Sequence, residues 1–315
     1  MTFLLEHSTQ IDASPELGLE ALVGNTPLLS LRRLAGLPAG VQVYAKAEWF
    51  NPGGSVKDRP AIHILRKALA EGRLQEGKRL LDSTSGNMGI AYATFGAALD
   101  IPVTLAIPGN VSQERLTILR ALGAELILTD PLEGSDGALQ VARRFASEQP
   151  ERYFYADQYN NPANWQSHYL TTGPEILQQT GGRVTQFVAG LGTSGTLTGV
   201  ARCLREYDPG ICIVAAQPDA PFHGLEGLKH MPTAIQPGFY DPTLPDRILE
   251  ISTEEAYEMT LHLARMEGLF VGVSSGAAAV AALRIARELE HGLVVTVFPD
   301  AGYKYLSEKL WERSP

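Results

Sequence analysis

Apolar residues along this chain fall into short continuous runs that alternate with longer stretches where they recur every three or four positions. The run VQVYAKAEWF (41–50) precedes PAIHILRKALAEG (60–72), and KRLLDSTSGNMGIAYATFGAA (78–98) holds a run, a polar turn and a second helical pattern. The pairing recurs in PVTLAIP (102–108) with VSQERLTILRALG (111–123), and in ELILTD (125–130) with EGSDGALQVARRFASEQ (133–149). It recurs again in VTQFVAGLGTSGTLTGVARCLREY (184–207). ICIVAAQPD (211–219) adds a strand and TEEAYEMTLHLARMEG (253–268) a helix, before VGVSSGAAAVAALRIARELE (271–290) and LVVTVFPDAG (293–302). Short runs predict strands and the three-to-four spacing predicts helices, so strands deliver glycine-rich turns that open into helices, the rhythm of a layered α/β protein.

The length of 315 residues exceeds one usual domain and predicts two lobes. The turn formers in DQYNNPANW (157–165) suggest a boundary near residue 160. The expected smaller lobe is 45–160, with 1–44 and 161–315 forming the larger one. No fixed-period repeat is visible.

Composition then removes whole classes of function. The chain is 44% apolar and 19% charged, ordinary globular values, so disordered and fibrous classes are excluded. Its 26 basic and 35 acidic side chains give a net charge of −9, with no basic run to track a phosphate backbone, which argues against nucleic acid. Cys203 and Cys212 make neither a disulfide scaffold nor a metal-ligand pattern. The amino end lacks a signal-peptide signature and no apolar run approaches the roughly 20 residues that span a bilayer. A soluble cytoplasmic protein is the expectation.

Four turns carry residues capable of chemistry. In NPGGSVKDR (51–59), Lys57 follows a glycine-bearing turn and precedes a helix; its amine could form a Schiff base with an aldehyde cofactor, or simply pair with Asp58 at the surface. STSGNMG (83–89) offers hydroxyls, an amide and helix-start N–H groups to a carboxylate or ring oxygen, and could equally be a plain helix cap. There, Met88 supplies no hydroxyl and would meet its neighbours as an apolar wall. GLGTSGTLTG (190–199) reads as a phosphate cup or a tight packing turn, and lacks the lysine-hydroxyl pair of the nucleotide-binding P-loop. VGVSSGAAA (271–279) places Ser274 where a hydroxyl could face a ring nitrogen, or could cap the helix.

Weaker candidates lie outside these turns. His223, Glu226 and His230 could tune acid-base chemistry but establish no metal site. Asp300 could orient substrate or a lobe-closing network, while Tyr303, Tyr305, His168 and Trp165 have ordinary packing readings.

Taken in order, GNTPL (24–28), NPGGSVKDR, STSGNMG, GLGTSGTLTG, VGVSSGAAA and PDAGYKY (299–305) resemble the cysteine synthase and cystathionine β-synthase family of pyridoxal-phosphate enzymes, over nearly the whole chain. The resemblance implies enzyme fold type II: a two-lobed, three-layer α/β arrangement with a mainly parallel sheet in each lobe and pyridoxal 5'-phosphate between them. It implies that Lys57 makes the internal Schiff base and that Asn87 contacts the cofactor's ring oxygen. Gly192, Thr193, Ser194, Gly195 and Thr196 correspond to the phosphate cup, and Ser274 to the residue facing the pyridine nitrogen. Thr84, Ser85, Asn87 and Gly89 occupy the substrate-carboxylate loop, which also carries Met88, and Gln158 joins them as a carboxylate contact. Met88 departs from the threonine many relatives carry there, which should alter pocket polarity.

The activity so implied is β-replacement on an activated serine, foremost O-acetylserine plus sulfide giving cysteine plus acetate. Alternatives are O-phosphoserine as the activated serine, or serine and homocysteine joined as in cystathionine β-synthase. A serine or threonine deaminase is more distant, and a noncatalytic metabolite-binding protein is the reading from another class. The resemblance also implies a homodimer, and leaves association with a serine acetyltransferase open.

Overall fold

A computed structural model describes residues 18–33, 36–75, 77–84 and 86–312. Two strands open the large sheet, β1 (Leu28–Ser30) and β2 (Gly40–Ala47), and helix α1 (Asp58–Ala70) follows them. Next come β3 (Arg79–Ser83), α2 (Asn87–Ala98), β4 (Val103–Pro108), α3 (Gln113–Ala121), β5 (Glu125–Thr129), α4 (Gly134–Glu148) and β6 (Tyr153–Tyr155). Two helices, α5 (Ala163–Leu170) and α6 (Thr172–Thr180), lead into β7 (Gln186–Gly190), α7 (Gly195–Tyr207), β8 (Cys212–Pro218) and β9 (Arg247–Ile251). The described chain then adds α8 (Thr253–His262), α9 (Val273–Arg287) and β10 (His291–Phe298).

The strands form two sheets. One has six strands in the order β1-β2-β10-β7-β8-β9, all parallel except the β1–β2 pair. The other has four parallel strands in the order β5-β4-β3-β6. Parallel strands need helical crossovers, so each sheet is covered on both faces and its strands read as near-continuous apolar runs. In β7 the alternation is explicit: Val188 packs with Val214, Val294 and α9 on one face, while Phe187 and Ala189 pack with Val200, Leu204 and Val295 on the other. The smaller sheet does the same, with Leu80 and Leu105 facing α1 and α2, and Leu81 and Ala106 facing α4. This is the two-lobed α/β architecture that the sequence predicts.

Some local expectations fail. The strand expected at the start of VGVSSGAAA is a single bridge, Val271 to Ala301, and α9 begins at Val273. Of the DQYNNPANW turn, Ala163, Asn164 and Trp165 already lie in α5. Strands β6 and β9 and helix α6 were not foreseen; three residues, or a run broken by charges at Arg247 and Glu250, give too little periodicity to read. No helix among the described residues is long and apolar enough to cross a membrane.

Candidate active site

The carboxyl ends of strands from both sheets open into one cleft, the usual ligand position in parallel α/β folds. Lys57, Thr84, Asn87, Met88, Gln158, Gly192, Thr193, Ser194, Gly195, Thr196 and Ser274 all line it. Gly89 is not on the wall: it lies in the first turn of α2, where a Cβ would come within 2.6 Å of Thr84 Cγ2. Ser85 lies outside the described residues.

Lys57 precedes α1 and is half-buried against the cleft. It forms no ion pair among the described residues, and Asp58 instead accepts a hydrogen bond from the Gly53 N–H, so the surface-pair reading of Lys57 falls. Burial pushes the amine down to about 8, against the opposing pull of Asp300 and Glu48. A lysine held there is far more often the neutral nucleophile than a solvated one.

The GLGTSGTLTG turn joins β7 to α7. Ser194 sits at φ +63° just before the helix, and its hydroxyl is buried without a partner. Glycine is required on either side: a Cβ at Gly192 would lie 2.3 Å from the Gly227 carbonyl, and one at Gly195 2.0 Å from Asn164 Oδ1. Thr193 Oγ1 accepts from Gly195 N at 3.3 Å and from Asn164 Nδ2 at 3.2 Å.

Across the cleft, the loop between β3 and α2 is shaped from within. Thr84 Oγ1 accepts from Gly86 N at 3.0 Å and Gly89 N at 3.1 Å, so this hydroxyl organises the turn. Met88 is 2% exposed and packs into the small-lobe core while touching the cleft. Gln158 Nε2 donates to the Ser83 carbonyl at 2.6 Å, which fixes the side chain and leaves its second N–H. Ser274 lies in the first turn of α9 at 5% exposure; Gly272, not a serine, is the cap, and no side chain caps it.

Lys304, Arg115 and Lys229, none of them singled out in the sequence, tie parts of the site together. Asn87 Nδ2 donates to Asp300 Oδ2 at 2.6 Å, and Asn87 Oδ1 accepts from Lys304 Nζ at 2.9 Å. Lys304 also donates to the carbonyls of Gly53 and Gly54, both at 3.0 Å, and Tyr305 Oη donates to Asp300 at 2.6 Å. Thus the PDAGYKY segment ties the lysine turn to the asparagine turn, with Asp300 accepting from Asn87 and Tyr305, and Lys304 of the same motif donating to both turns. At the rim, Arg115 of α3 pairs with Glu226 and Lys229 pairs with Asp136 of α4 at 2.9 Å, each bond crossing between lobes. Glu226 is therefore engaged in an ion pair, and His223 accepts from the Leu225 N–H at 3.1 Å, outside the cleft wall. Among the described residues no group of acids, histidines and cysteines could hold a metal.

Residues 19–300 match the family model for pyridoxal-phosphate dependent enzymes. The chain is 53% identical over 296 residues to a cysteine synthase of Aquifex aeolicus, covering 92% of this chain and 90% of that one. It belongs to the cysteine synthase/cystathionine β-synthase family. Among solved structures, this family member is similar to O-ureido-L-serine synthase, with TM-score 0.88, 36% identity and 95% and 96% of the two chains covered. It is also similar to an O-acetylserine dependent cystathionine beta-synthase from Helicobacter pylori, with TM-score 0.88, 35% identity and 93% and 98% covered. As a cysteine synthase/cystathionine β-synthase family member, the protein is a pyridoxal-phosphate-dependent enzyme of β-replacement.

Proposed function

We propose that this enzyme replaces the acetyl-bearing oxygen of O-acetylserine by sulfur from sulfide, giving L-cysteine and acetate, with Lys57 as its catalytic residue. The observation that carries the reading is the meeting, on one cleft, of a desolvated lysine amine and a buried serine hydroxyl with no partner, Ser194. Both fit pyridoxal phosphate: an aldehyde takes a neutral amine, and a phosphate oxygen accepts from an orphaned hydroxyl. The glycines at 192 and 195 keep the backbone N–H groups of the turn close, at the start of α7 where partial positive charge gathers.

When bound, the cofactor supplies an aldehyde for the substrate amine and a ring that accepts electrons from the α carbon. Lys57 would hold the aldehyde carbon covalently and, freed when the substrate amine takes that carbon, would remove the α proton with Nζ and later return a proton. Asn87, held in orientation by Asp300 and Lys304, would present its second Nδ2–H to the ring oxygen. Ser274, which lines the cleft, would meet the ring nitrogen with a neutral hydroxyl. Helix α2 leaves the N–H groups of its first turn without intrahelical partners, and those of Asn87 and Met88, with the second N–H of Gln158, would receive the substrate carboxylate; the Gly86 and Gly89 N–H groups are engaged by Thr84 Oγ1, so Thr84 and Gly89 act by shaping the loop. Met88 closes that end with an apolar wall.

One observation favours O-phosphoserine as a second reading. Lys229 lines the cleft with its ammonium 4.8 Å from the Tyr159 ring centre, held by the part-exposed carboxylate of Asp136, which a phosphoryl group could replace. The deciding experiment offers purified enzyme serine, O-acetylserine and O-phosphoserine, each with sulfide and with homocysteine, and identifies the products. Cysteine from O-acetylserine and sulfide as the fastest pair supports the proposal; a faster O-phosphoserine reaction that Lys229→Met abolishes moves it to the second reading. No turnover with any pair sinks both. We also propose a homodimer, which sedimentation across a concentration series tests.

A further inference from the structure

Helix α5 runs behind the turn assigned above to the cofactor phosphate, and two of its side chains, one helical turn apart, reach the back of that turn. Asn164 Nδ2 donates to Thr193 Oγ1 at 3.2 Å and to the Gln158 carbonyl at 2.7 Å. Four residues on, His168 bridges two hydroxyls, with Nδ1 2.9 Å from Thr172 Oγ1 and Nε2 3.3 Å from Thr196 Oγ1. Helix α7 lies close enough to make this contact because it carries glycine where it crosses α5: a Cβ at Gly199 would come within 2.2 Å of the Trp165 carbonyl and 2.7 Å of His168 Cβ. His168 itself is 1% exposed, whereas Thr196 lines the cleft.

Burial, with the nearby charges of Arg59 and Lys57, pushes the His168 imidazole well below its ordinary value, so the ring is neutral. A neutral imidazole has one N–H and one lone pair, and two arrangements satisfy both contacts. In one, Nδ1–H donates to Thr172 and Thr196 donates to Nε2, which turns lone pairs toward the cleft. In the other, Thr172 donates to Nδ1 and Nε2–H donates to Thr196, whose own hydrogen is then free for a ligand. A phosphate dianion only accepts hydrogen bonds, and it stabilises the second arrangement alone.

We propose that His168 is a positioning residue which, protonated at Nε2, holds Thr196 as a hydrogen-bond donor to the cofactor phosphate. This rests on the assignment of residues 192–196 to the phosphate. His168 touches neither cofactor nor substrate; it acts through Thr196, and α5 thereby serves as the template of the turn, with Asn164 setting Thr193 and His168 setting Thr196.

The test uses full-length protein freed of cofactor and reconstituted with pyridoxal phosphate or with pyridoxal, which lacks the phosphate. His168→Leu should weaken pyridoxal phosphate binding about tenfold or more and leave pyridoxal binding within about twofold. In a T196V background the same change should add less than about twofold. His168→Gln, which keeps an N–H donor, should recover much of the loss. In unsubstituted protein loaded with cofactor, nitrogen NMR should find His168 protonated at Nε2, and this readout stands even if a variant fails to fold. Protonation at Nδ1, equal losses for the two ligands, or a full additional loss on top of T196V would overturn the relay while leaving the phosphate assignment intact. If neither T196V nor Ser194→Ala separates pyridoxal phosphate from pyridoxal, the phosphate assignment itself fails and takes the relay with it.

Discussion

Two buried charge clusters flank the start of α1, and they are built on opposite plans. In the first, Arg59 donates to Glu48 through Nε at 2.7 Å and through Nη2 at 2.8 Å, and to Glu175 through Nη1 at 2.6 Å. Lys46 donates to Glu175 at 2.6 Å and to the Thr26 carbonyl at 2.6 Å, and Thr26 donates to Glu48 at 2.7 Å. No side-chain atom of these five residues is buried without a partner. In the second cluster, which holds Lys57, Asp58, Asn87, Asp300 and Lys304, one carboxylate oxygen of Asp58 and one of Asp300 are both orphaned.

The acids register the difference. Burial alone would raise Glu48, but the charge and hydrogen bonds of Arg59 reverse it and leave the carboxyl below its ordinary value. Asp58 is just as enclosed, and burial raises it to about 7 despite the Gly53 N–H and Lys304. A saturated cluster fixes where α1 starts; an unsaturated one keeps bonding capacity, and that capacity sits beside the lysine that must react.

The contrast can be broken from either side. The largest effect on stability belongs to Arg59→Met, which leaves Glu48 buried without its countercharge and should cost about 3–5 kcal/mol in urea unfolding. Lys57→Ala should instead spare stability, or raise it slightly by removing a desolvated amine, while turnover on the best substrate pair falls at least about a hundredfold. Equal unfolding curves with retained turnover would remove Lys57 from the chemistry. A subtler change is Asp300→Asn. Lys57 attacks as the neutral amine, so cofactor attachment to cofactor-free protein should speed up with pH and level off above about 8. Asp300 pulls that amine upward; without its charge the plateau should begin at lower pH, visible in the growth of the cofactor's absorbance after mixing. Smallest is Met88→Thr, which should shift preference among the activated serines and leave cofactor affinity within about twofold. Identical substrate profiles would show that Met88 is core packing alone.

The sequence made legible whatever is local. Lys57, the asparagine loop and the Ser194 turn each sit at a strand-to-helix junction, where a handful of consecutive residues determines both conformation and chemistry. The supporting contacts are not local. Asn87 and Lys304 stand 217 positions apart, Thr196 and His168 28, and Arg115 and Glu226 111. Helix α5 was the sharpest loss: Asn164 read as part of a turn and His168 as ordinary packing, because nothing in ANWQSHYL says that glycine on another helix will let it approach so closely. The same reasoning explains Gly272, whose Cβ would lie 2.2 Å from Asp300 Oδ1, a constraint set by a residue 28 positions on.

The two ion pairs at the rim give the cleft an ionic clasp. Arg115 and Lys229 are nearly buried, but their partners Glu226 and Asp136 keep 34% and 33% of their side chains in water. Dissolved salt therefore reaches only the acidic half of each clasp, weakening the hold between the lobes without touching the buried contacts of Asp300 and Lys304 behind it. Raising the salt concentration should therefore speed the entry and release of small molecules more than it changes turnover at saturation, which stopped-flow binding rates across a salt series check.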